Sequence, residues 1–90
     1  MNATPDPAVA KMMALARSRP LDALTGALVL LDAKPDLDPA ERLTRSVLMD
    51  VICEKSPAAN AALDAWADSD APALDAVPMM VAAIAAGGAA

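Results

Sequence analysis

A chain with no phenylalanine, no tyrosine and a single tryptophan, Trp66, must build its interior from aliphatic side chains. Hydrophobic residues make up 57% of the 90, but 24 of them are alanines and 27 are larger. That inventory supports one small domain, and its small side chains suit helices that approach one another closely. Strand-favouring residues are scarce. Val, Ile and Thr number 6, 2 and 3, and nowhere do they alternate with polar residues.

Proline placement argues independently for helices. Thr4-Pro5, Asp38-Pro39 and Ser56-Pro57 each set a proline directly after a residue able to cap a helix. This is the first helical position, where a missing N–H costs nothing. Asp38-Pro39-Ala40-Glu41 adds an acid placed to reach back to the Asp38 amide, a capping box. Arg19-Pro20 has the proline without the cap, and Asp70-Ala71-Pro72 places it one residue later.

Between these starts the apolar residues recur at spacings of three and four. The first helix, over 6–18, gathers Val9, Met12, Met13 and Ala16 on one face, and the second, over 20–33, gathers Leu21, Leu24, Leu28 and Leu31. A third over 39–55 lines up Leu43, Val47, Leu48 and Val51, and a fourth over 57–67 lines up Ala59, Ala62, Leu63 and Trp66. The last pattern, over 72–86, offers Leu74, Val77, Val81 and Ile84, but Pro78 interrupts it, which favours a short turn and a helix from 77. The resulting fold expectation is all-α, a compact orthogonal bundle of four to five short helices. Residues 1–90 form a single helical domain in this reading, with 1–4 and 87–90 as frayed tails.

The absence of histidine removes the commonest general base, the commonest metal ligand and the usual pH switch near neutrality. Ser-His-Asp and Cys-His catalysis cannot be assembled within such a chain. With Cys53 alone there is no internal disulfide, which points to a reducing, cytoplasmic setting. The uncharged run between Asp22 and Asp32 is nine residues and the one after Asp75 is fifteen, against the roughly 20 that a membrane-spanning helix needs. Asp6 and Lys11 interrupt the N-terminal stretch, so no secretory signal is expected.

The net charge is −5, and from Ser56 onward the charged residues are Asp64, Asp68, Asp70 and Asp75, with no base. Such a balance repels phosphate backbones unless Arg17, Arg19, Arg42 and Arg45 cluster. A helix-turn-helix built from the second and third helices would set Arg42 and Arg45 near the start of a recognition helix. Asp36 and Asp38 in the connection would oppose the phosphates.

Potential chemical sites fare poorly. Asp68-Ser69-Asp70 starts like a calcium loop, but Pro72 takes the third ligand position and Ala73 stands where glycine is required. Asp64 and Asp68, and Asp50 and Glu54, are spaced to share helical faces, and no nucleophile or phosphate loop accompanies them. Cys53, beside Glu54, lacks the electropositive surroundings of a reactive thiol and reads as a packing residue.

The functional expectation is therefore a non-enzymatic cytoplasmic protein–protein interaction module, an adaptor or regulatory subunit, with no catalytic residue, metal or cofactor. Its candidate interaction residues are Met49, Cys53, Arg45 and Ile52, all on the third helix. There Leu43, Val47 and Val51 form one apolar stripe, and Met49 and Cys53 form another on nearly the opposite side. Two apolar sides need two neighbours: either both come from the same chain, with the third helix central, or Met49 and Cys53 face a second copy across a two-fold axis in a homodimer. The alternative is a small DNA-associated transcriptional regulator with an Arg17, Arg19, Arg42 and Arg45 surface.

Overall fold

A computed structural model describes residues 6–72 and 75–87, and among them the chain forms five helices and no strand. These are α1 (Pro7–Arg17), α2 (Leu21–Asp32), α3 (Pro39–Lys55), α4 (Pro57–Ala67) and α5 (Ala76–Gly87). The molecule is a compact all-α bundle with extents of 36 × 29 × 29 Å. The Thr4-Pro5 start, the expected inward position of Leu74 and most of the two expected tails lie outside the described residues.

The helix starts follow the capping chemistry. In α1 the cap is Asp6, whose Oδ1 accepts from the Ala8 amide at 2.9 Å, with Pro7 in the first helical position. This pair lies two residues beyond Thr4-Pro5. Both halves of the α3 capping box are made: Glu41 N–H donates to Asp38 Oδ1 at 2.8 Å, and Asp38 N–H donates to Glu41 Oε1 at 3.1 Å. Pro20 opens α2 without a side-chain cap. Pro78 stands third in α5, where its missing N–H would have had no intrahelical acceptor, so the helix starts at Ala76 and runs through it.

Ser56 serves two helices at once. Its N–H closes α3 on the Ile52 carbonyl at 2.8 Å, and its Oγ opens α4 by accepting from Ala59 N–H at 3.1 Å. One residue thus redirects the chain, and its buried hydroxyl is satisfied.

Among the described residues the four largest fully enclosed side chains are Leu28 of α2, Val51 and Ile52 of α3 and Met80 of α5. From α1 and α4 the buried contributions are Ala16 and Ala59, small enough to bring those helices close to the centre. Helix α3 packs against α1, α2 and α4, while α5 lies against α4 and α2. Leu43 departs from the expected inward stripe and is 38% exposed. Among the described residues three ion pairs end on α3: Arg17 with Glu54 from α1, Arg45 with Asp32 from α2, and Lys34 with Glu41 from the α2–α3 connection. The Trp66 ring N–H donates to the Pro72 carbonyl at 2.9 Å, fastening the segment after α4. No helix among the described residues is long and apolar enough to cross a membrane.

Candidate interaction surface

Helix α2 directs Leu24 and Leu28 into the core, with Leu21 and Leu31 partly buried beside them. A surface helix ordinarily turns a polar face to water, but α2 has little to offer there. Its two charges, Asp22 and Asp32, sit near its ends. The hydroxyl of Thr25 is already committed to the Leu21 carbonyl at 2.8 Å. What faces outward is Leu30, 74% exposed, with Val29 at 43% and Gly26, beyond which there is open space.

Two apolar depressions flank this ridge. On the α5 side, adjoining recesses of about 640 and 450 Å³ share Val29 and Val81 and form one groove between α2 and α5. Ile84 lines one part of it and Pro78 the other. Asp22 borders one end and Asp32 the other. On the opposite side lies a cleft of about 300 Å³ between α1, α2 and α3, with Arg19 in its lining. Leu15, 59% exposed, belongs to this second depression.

The residues singled out on α3 sit differently from a partner-facing stripe. Ile52 is fully enclosed in the core and leaves no surface for a partner. Met49 and Cys53 are half-buried and packed against the same core. Leu48 and Ile52 are buried between the two expected stripes, so what looks like two sides is the two edges of one broad buried arc. Cys53 shares a shallow recess with Met13 of α1 and Leu63 of α4, so neighbours within the chain flank it. Arg45 is a tie within the fold, with Nη2 3.1 Å from Asp32 Oδ1 and both side chains partly buried.

The four arginines are dispersed in role. Arg17 holds Glu54 in a two-bonded fork, at 2.9 Å from Nε and 2.8 Å from Nη2. Arg42 lines the recess at the α2–α3 connection together with Arg45, whereas Arg19 lines the cleft beside α1. The ion pairs shift acidities as expected. Arg17 draws the Glu54 carboxyl below the usual range, and Lys34, then the Asp38 amide, do the same for Glu41. Burial, then Asp50 and Asp64, push the Cys53 thiol up. Among the described residues no group of three potential ligands is placed to hold a metal ion.

No family model matches this chain, no curated protein matches it, and no solved structure matches it.

The sequence pattern identified the inward face of α2 and assigned nothing to Val29 and Leu30. A signal was present: nine consecutive uncharged residues between Asp22 and Asp32 are more apolar surface than one buried face consumes.

Proposed function

We propose that this chain is a non-enzymatic interaction module that seats an amphipathic helix of a partner protein in the groove between α2 and α5. The observation that carries the reading is Leu30, 74% exposed beside Val29 on a helix with no polar outer face. Scattered exposed leucines are ordinary, whereas a contiguous apolar ridge bordering a groove is a mark of interaction sites. Helix-in-groove recognition uses anchors one turn apart along such a channel. Asp22 and Asp32 at the two ends of the groove favour an occupant with basic residues flanking its apolar stripe. The lone Cys53 fits a reducing, cytoplasmic site of action.

The test compares wild type with Leu30→Glu and Leu43→Glu as baits in native extract, followed by reconstitution with the purified partner. Leu43 is also exposed but belongs to α3, so it controls for a general change in surface charge. The expected result is a partner lost with Leu30→Glu, kept with Leu43→Glu, and bound through a helical segment carrying basic residues. Equal capture by all three baits would overturn the assignment to α2. Sedimentation of the wild type as a dimer that Leu30→Glu dissociates would replace the foreign helix with a second copy.

A further inference from the structure

On the other flank of α2, the cleft between α1, α2 and α3 combines features that the helix-docking groove lacks. Met12 and Leu15 of α1 form one wall, Ala23 and Ala27 of α2 a second, and Val47 of α3 belongs to the floor. At about 300 Å³ its size lies at the lower end of the range for small-molecule sites. The charged residue lining it is Arg19, which has no ion-pair partner among the described residues. No acid lines the cleft among those residues, although the chain carries a net charge of −5. Lys11 stands one turn before Leu15 on the same helix.

We propose that this cleft binds a medium-chain aliphatic carboxylate, a free fatty acid whose chain lies among the apolar walls and whose carboxylate meets the Arg19 guanidinium. An unpaired guanidinium next to apolar surface is complementary to an anion carried on a hydrocarbon, because guanidinium donors match carboxylate oxygens in geometry and charge. The small side chains of Ala23 and Ala27 leave the space for the chain. The overall negative charge would draw a cationic amphiphile more strongly than an anionic one, so a preference for carboxylate can arise only locally. This inference does not depend on the helix-docking reading.

The experiment is an amide chemical-shift titration of the full chain with sodium octanoate, octanol and octylammonium, each below its aggregation range. Octanoate is expected to saturate, to shift residues of α1, α2 and α3 around the cleft, and to bind at least tenfold tighter than octylammonium. Lengthening the chain from hexanoate is expected to raise affinity about fourfold per methylene, the increment for burying one such group. Arg19→Gln should bring octanoate down to the affinity of octanol. Ala27→Leu, at an exposed helical position, should fill the cleft and abolish binding while circular dichroism stays unchanged. The proposal is overturned if octylammonium binds equally well, if Arg19→Gln leaves the preference intact, or if the shifts centre on the α2–α5 groove. Tighter binding of a leucine-rich tripeptide with a free C-terminal carboxylate would likewise overturn it and assign the cleft to a peptide end.

Discussion

Leu28 and Leu30 stand two positions apart on α2 and offer a matched pair of truncations. Leu28 is 1% exposed and Leu30 is 74% exposed. Replacing Leu28 by Ala removes about three carbons from the core, roughly 2.4 kcal/mol at about 0.8 per methylene. The cavity left in the core raises the expected loss to about 3–4 kcal/mol. The same change at Leu30 forfeits about a quarter of the burial term, and the stronger helix preference of alanine offsets part of it, leaving a net effect within about 0.5 kcal/mol.

A domain of 90 residues has a total stability of about 5–13 kcal/mol, so Leu28→Ala removes a large fraction of it. Urea unfolding followed by far-UV circular dichroism and by Trp66 fluorescence measures both variants. With a urea dependence of about 1–1.5 kcal/mol per molar, Leu28→Ala should move the midpoint down by about 2–4 M while Leu30→Ala barely moves it. A cost above about 1.5 kcal/mol for Leu30→Ala, growing with protein concentration, would show the outer face of α2 to be covered by a second copy. A cost below about 1 kcal/mol for Leu28→Ala would refute the packing of α2 against the core.

Met49→Glu sets a charge at the edge of the buried arc of α3 and should lower monomer stability by about 1–3 kcal/mol. Retained stability together with dissociation of a dimer would restore Met49 to an interface. Asp38→Ala removes the capping bond that its carboxylate accepts from Glu41 N–H, leaving the reciprocal bond from its own backbone N–H, and should cost about 1 kcal/mol in the same urea assay; no change would mean α3 is set by packing alone. The carboxyls of Glu41 and Glu54 lie below the usual range in the folded chain, so their contribution is present above the unfolded value of about 4.3 and fades as pH falls through the lowered folded values. The urea midpoint should therefore decline on acidification below about pH 4.3, and decline less in Glu54→Gln. Cys53, its thiol pushed up first by burial and then by Asp50 and Asp64, should react with iodoacetamide more slowly than a free thiol at mildly alkaline pH. Asp64→Asn should quicken that reaction, and a rate matching free thiol in the parent chain would contradict the assignment.

Local order in this protein was legible from residues alone. Asp38 with Glu41, and Ser56 before Pro57, set helix starts through bonds spanning three residues, which no distant contact has to supply. The inward positions Leu24, Leu28, Val47 and Val51 followed from helical period, since geometry allows one face to point at a core. The α1 start is equally local, but the cap is Asp6 before Pro7, two residues beyond the Thr4-Pro5 pair that the sequence pattern singled out.

The surfaces were decided by tertiary structure, because exposure depends on which helices happen to lie alongside. Period alone treats Met49 and Cys53 as a second face of α3, but with Leu48 and Ile52 buried between the two stripes and α1, α2 and α4 packed around that helix, its apolar sides are accounted for within the chain. Helix α2 has the opposite history. Its neighbours α3 and α5 do not reach around to Leu30, so a residue that composition would place in a core stands in water. Whether an apolar side chain is core or contact surface is a property of the packing around it, and a single helix does not encode its neighbours.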